Sequence, residues 1–210
     1  MKKNLKIISP FLIYCVLLLL FSFDNLFKIT DYKDFFEIIG KAIFAGFFEE
    51  LVFRHWLQES IGKKLESKNK KSVYAVFIIG ILFGILHMTN LIGNETKTAL
   101  EVFLQSLSAI GGGLLLGSIY YRTKNYLLVS GLHSFYNIVI LLSSTYCVVC
   151  SANETLELIL QVTFNCLIAV YLLKDDLFNI KKTKNNKKFK LAYYILYSFL
   201  LVAMILLWRK

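Results

Sequence analysis

Residues 38–57 read Ile38-Ile39-Gly40-Lys41-Ala42-Ile43-Phe44-Ala45-Gly46-Phe47-Phe48-Glu49-Glu50-Leu51-Val52-Phe53-Arg54-His55-Trp56-Leu57, an apolar run of membrane-crossing length that carries two adjacent carboxylates and a guanidinium. A transmembrane helix takes about 20 predominantly apolar residues, and an ionised side chain at its centre costs roughly 2.5–3.5 kcal/mol on insertion scales. Such groups persist where they pair, face a protein interior or do chemistry. Residues four apart share a helix face, whereas neighbours diverge by about 100°. Glu50 and Arg54 therefore form a neutralising pair within the span, and Glu49 points elsewhere with no partner in its own helix. The two glutamates are expected to differ in role: Glu50 is held by Arg54, and Glu49 faces a cavity as a candidate general base.

Outward from this run the chain keeps the same character. Of 210 residues, 57% are hydrophobic and 15% aromatic, with a mean hydropathy of +0.59, which is too apolar for a water-soluble globule. Apolar stretches at about 7–23, 36–58, 73–92, 98–120, 126–149, 155–173 and 191–208 predict an all-α fold, a polytopic helical membrane bundle of about seven transmembrane helices. The expected organisation is an N-terminal anchor helix and loop over 1–35, a core over 36–149 that holds the polar motifs, and C-terminal scaffold helices over 150–210. The first span opens like a signal sequence with Lys2, Lys3 and Lys6. Phe21-Ser22-Phe23-Asp24 offers no small-residue cleavage site, so a retained helix is expected.

The net charge of +10 follows the spans. With seven crossings, seventeen of the 24 basic residues fall on the side of the N-terminus and five on the other. The positive-inside rule then places the N-terminus in the cytoplasm and the C-terminus outside. Lys181-Lys182-Thr183-Lys184-Asn185-Asn186-Lys187-Lys188 reads as a juxtamembrane clamp on anionic lipid head groups. No stretch is left over to build a nucleic-acid-binding fold, so nucleic acid is not an expected partner.

Two later spans carry polar intrusions: His87 in Phe83-Gly84-Ile85-Leu86-His87, and His133 with Asn137 in His133-Ser134-Phe135-Tyr136-Asn137. Two of the chain's three histidines thus lie in these two later spans, and His133 and Asn137, four apart, present an imidazole and an amide to the same space. Counted from the cytoplasmic ends of their spans, Glu49, His87, His133 and Asn137 differ in depth by roughly 10 Å at 1.5 Å per residue, which helix tilt can close. His55 points well away from Glu49 and is read as structural. Gly80-x-x-x-Gly84 and Gly111-Gly112-Gly113-x-x-x-Gly117 are small-residue patterns for close helix packing or for a local unwinding beside a cavity. Cys147 and Cys150 form the only suggestive cysteine pair, at the outer end of the fifth span. The four cysteines together are read as packing residues. His-Glu-x-x-His, Gly-x-Ser-x-Gly and an embedded Gly-Asp pair are all absent from the sequence.

Glu49-Glu50-x-x-x-Arg54, Phe83-x-x-x-His87 and His133-x-x-x-Asn137, in that order, resemble the three motifs of the CPBP family of membrane proteins, also called the Abi family. This family comprises CAAX-prenyl-endopeptidase and bacteriocin-processing proteins and includes the type II CAAX protease. The resemblance covers about residues 40–142, with no departure at the motif positions. It implies a glutamate-dependent intramembrane peptidase in which Glu49 and His87 activate water, His133 and Asn137 stabilise the oxyanion, and Glu50 with Arg54 supports the site. The substrate would be a membrane-associated peptide or protein: a prenylated CAAX protein, a peptide pheromone or a bacteriocin leader. No cofactor is expected. A zinc ion held by Glu49, His87 and His133 is the less favoured alternative, because no ligand pair has zinc-motif spacing. The competing functional readings are a non-catalytic bacteriocin-immunity or partner-binding protein of the same fold, and a proton-coupled transporter. The transporter would be expected to show an internal repeat with paired broken helices, which the sequence lacks.

Overall fold

The computed structural model describes residues 2–21, 32–92, 98–146, 154–178 and 185–208, and among them there is no strand. Seven helical rods follow the seven apolar stretches. They are α1 (Lys2–Phe21), α2 (Tyr32–Glu50), α3 (Tyr74–His87), α4 (Ala99–Thr123), α5 (Tyr126–Tyr146), α6 (Glu154–Phe178) and α7 (Asn185–Trp208). Beyond Glu50, α2 continues without a break as a π-helical segment, Leu51–Gln58, and then as α-helix over Glu59–Glu66. A 3-10 turn, Met88–Leu91, extends α3. Tyr74–Leu91, Ala99–Thr123 and Leu158–Phe178 are long and apolar enough to cross a membrane, and shorter apolar helices occupy Asn4–Leu17, Tyr126–Leu141 and Lys190–Ala203. This is an integral membrane protein, an all-α bundle. Cys147, Cys150 and the basic run 181–184 lie outside the described residues. Cys15 is buried in the core, as the packing role requires.

Local sequence sets the ends of α4. Thr98 and Glu101 form a reciprocal capping box, with Thr98 N donating to Glu101 Oε2 at 2.7 Å and Glu101 N to Thr98 Oγ1 at 3.2 Å. At the other end Lys124 takes a left-handed conformation (φ 53°), and Asn125 Oδ1 accepts from Leu128 N at 3.0 Å. The chain therefore reverses directly into α5.

Glycine placement decides which helices touch. In lipid there is little hydrophobic drive between helices, so association depends on close approach and interhelical hydrogen bonds. A side chain at Gly46 of α2 would put its Cβ 2.7 Å from Ser134 N of α5, and one at Gly113 of α4 would sit 3.0 Å from Gly80 O of α3. Ser106 Oγ donates to Gly84 O at 2.7 Å and Gln58 Nε2 to Gly117 O at 3.0 Å, tying α4 to α3 and to the π-helical segment. α4 stays helical through Gly111, Gly112 and Gly113, so of the two expectations close packing holds and unwinding does not. Gly46 lies one turn from Glu50. Gly46→Ala is expected to lower the melting temperature of the purified protein, by about 1–3 kcal/mol of overpacking, and to move both glutamates off α5. An unchanged melting temperature would show that the α2–α5 contact can yield.

The end of α6 is closed by other helices. Its last turn contains Asp175 and Asp176 and no basic residue. Lys71 Nζ donates to Asp176 O at 2.7 Å and to Leu177 O at 3.1 Å. Arg122 Nε donates to Leu172 O at 2.5 Å, and its Nη2 pairs with Asp176 Oδ2 at 2.6 Å. Lys124 pairs with Glu59 at 2.5 Å nearby. The ends following the second, fourth and sixth apolar stretches therefore gather on one side of the bundle.

Candidate active site

Glu50 and Arg54 are both 0% exposed, with Arg54 Nε 2.9 Å from Glu50 Oε2. They lie at the junction where α2 becomes π-helical, a backbone form that often marks functional positions. Glu50 also reaches across to α5, where its Oε1 is 2.9 Å from His133 Nδ1. A carboxylate only accepts, so Nδ1 carries the proton and His133 Nε2 is turned the other way. That atom lies 3.7 Å from Glu49 Oε2. A chain of charge and hydrogen bonding thus runs Arg54–Glu50–His133–Glu49 across two helices that Gly46 allows to touch.

His87 is oriented by its own helix. Its Nδ1 is 2.8 Å from Phe83 O, a carbonyl that can only accept, which leaves Nε2 as the basic nitrogen. His87 and Glu49 line one cavity of about 340 Å³ together with Gln105. His87 and Gln105 also line a smaller chamber of about 130 Å³, with His133 and Asn137 in its wall. The four motif residues of α2, α3 and α5 are brought into two adjoining cavities that share the Phe83, His87 and Gln105 wall. His55 is exposed, its ring 5.3 Å from Tyr126, and it lines neither cavity.

Phe83 is the apolar hub. Its ring centroid lies 4.7 Å from that of His87, 6.0 Å from that of His133 and 5.0 Å from that of Phe53, and Arg54 Cζ stands 5.2 Å above it. Arg54 Nη1 and Nη2 have no hydrogen-bond partner among the described residues, so the ring face and Glu50 are what balance the guanidinium.

Some of the lining comes from the helices expected to be scaffold and anchor. α6 contributes Gln161 and Asn165 to the smaller chamber and α1 contributes Phe11. Gln161 Nε2 donates to Tyr136 Oη, and Asn90 Nδ2 donates to Gln105 Oε1 at 3.3 Å. A signal for α6 was present: Gln161 and Asn165 are amides four apart in an apolar span, the same spacing as His133 and Asn137. Among the described residues no three His, Cys, Asp or Glu side chains gather so as to hold a metal ion, so the zinc set Glu49, His87 and His133 is not assembled as ligands.

Fold and site together define a polytopic helical membrane protein with a carboxylate–imidazole centre enclosed in its bundle. The model of the type II CAAX prenyl endopeptidase Rce1-like family matches residues 32–139, just over half of the chain, and the chain belongs to that family. It is in general kind a CAAX-type intramembrane endopeptidase. Comparison with curated proteins and with solved structures returns no match.

Proposed function

We propose that the protein hydrolyses a peptide bond in a membrane-associated peptide or protein, with Glu49 as general base. The observation that carries this reading is the Arg54–Glu50–His133–Glu49 chain, which separates a buried, neutralised glutamate from one that opens on the cavity shared with His87. Water in that cavity is oriented by His87 Nε2 and gives its proton to Glu49. Its oxygen adds to the scissile carbonyl carbon. The oxyanion accepts a hydrogen bond from the Asn137 amide and is stabilised by the His133 ring, which Glu50 orients through Nδ1. When the C–N bond breaks, the proton held by Glu49 passes to the leaving nitrogen. An oxyanion donor of this type is worth about 10²–10³ in rate. The distribution of basic residues supports cleavage near the cytoplasmic side and attraction to anionic lipid head groups.

The decisive experiment compares the membrane peptides of cells carrying the wild type or Glu49→Ala, followed by hydrolysis of any accumulated peptide by purified protein in liposomes. Prolonged chelation is expected to leave that rate unchanged, and acid to reduce it, because a protonated Glu49 cannot take the water's proton. Loss on chelation with recovery on substoichiometric zinc would assign the water to a metal instead. No cleavage in either preparation, with full biological function in Glu49→Ala, His87→Ala and His133→Ala cells, would make the protein a binding module.

A further inference from the structure

The small chamber beside His133 has more polar equipment than the hydrolytic step uses. Asn165 on α6 is 2% exposed, lines the chamber, and its Oδ1 has no hydrogen-bond partner among the described residues. The neighbouring amide is committed, since Gln161 Nε2 donates to Tyr136 Oη. Gly112 lines the chamber on its open side: a Cβ there would meet nothing within 4 Å, although Gly111 and Gly113 on either side are in close contact with other helices. Any larger residue at 112 would project into the chamber.

We propose that this chamber is a subsite for a hydrogen-bonding side chain of the substrate, an amide or hydroxyl next to the scissile bond, and that Asn165 and Gly112 determine its specificity. The inference rests on the hydrolytic reading above and names the substrate feature that site would select. The chamber shares the Phe83, His87 and Gln105 wall with the Glu49 cavity, so a residue beside the bond reaches it when the carbonyl lies between Glu49 and Asn137. At about 130 Å³ it has room for several waters, which the polar end of an Asn, Gln, Ser or Thr side chain would displace. An apolar side chain of the same size would leave the Asn165 acceptor stranded. Sites built to hydrogen-bond a substrate group reject the analogue lacking it far more strongly than apolar pockets reject a missing methylene.

The test uses the full chain in phosphatidylcholine–phosphatidylglycerol liposomes and a library of quenched-fluorescence peptides. Each peptide has one hydrophobic segment or one S-prenyl cysteine as its membrane anchor and is varied at the positions flanking the cleaved bond. Wild type is expected to favour Asn, Gln, Ser or Thr over Leu at one flanking position by at least about tenfold in kcat/KM. Asn165→Leu should invert that ratio, and Gly112→Leu should narrow the same position to Gly and Ala. Because Asn165 Oδ1 has no protein partner among the described residues, the peptide-free Asn165→Leu protein should melt no lower than wild type. Cleavage with no side-chain preference would overturn the subsite. So would a uniform fall across all peptides in Asn165→Leu, which would make the chamber a water store, or a marked fall in its melting temperature. If wild type cleaves none of the peptides, the hydrolytic reading fails, and the subsite fails with it.

Discussion

Glu49→Gln protein is expected to accumulate in membranes at the wild-type level and to lose hydrolysis by about 10²–10⁴-fold or more, the range set by removing a positioned base. Glutamine keeps the shape of the side chain and removes only its ability to take a proton. Little else should change. Glu49 is partly exposed to its cavity, and its approach to His133 Nε2 is long at 3.7 Å. His133 keeps its 2.9 Å bond to Glu50 in the variant. The measurement is the rate per folded molecule, with folding read from thermal unfolding in detergent. A Glu49→Gln protein that cleaves at the wild-type rate would move the base to another residue.

Glu50 is expected to behave in the opposite way, with loss of folded protein as the leading effect. Removing one partner of a buried ion pair costs about 3–5 kcal/mol, because the other charge is left without compensation. Glu50→Gln leaves the Arg54 guanidinium fully buried with only the Phe83 ring beside it, and it loosens His133 as well. Arg54→Ala leaves Glu50 still paired with His133, so its destabilisation should be the smaller of the two. A double variant, Glu50→Gln with Arg54→Met, should regain folded protein without regaining hydrolysis. Equal expression and equal activity loss in Glu49→Gln, Glu50→Gln and Arg54→Ala would refute this division of roles.

What could be read from the sequence was what depends on neighbours along the chain. The seven apolar stretches and the Glu50–Arg54 pair follow from helix length and a four-residue spacing. So does the shared cavity wall of His133 and Asn137. The bond from His133 to Glu50 joins residues 83 apart, and no local spacing signals it. It commits Nδ1 and determines which His133 nitrogen faces the cavity. The π-helical segment was equally silent: Leu51–Gln58 has neither proline nor glycine, and the tertiary contacts of its buried Arg54 and Gln58 have no local signal. The amides of α6 were visible but uncharged, and without an ionisable group beside them they read as scaffold. Glycines announced close contact, but only the fold shows that Gly46 meets α5 whereas Gly112 meets nothing.

The borrowed cap of α6 bears on the order in which the molecule is made. The last carbonyls of a helix have no partner within it, and a basic last turn ordinarily supplies one. Here that turn is acidic, and the donors are Lys71 and Arg122, both translated before α6 begins. The donors that close the end of α6 are thus in the chain before α6 itself, and Arg122 also pairs with Asp176 there. In that order of synthesis the last carbonyls of α6 are capped only once the helices that carry Lys71 and Arg122 have packed against it.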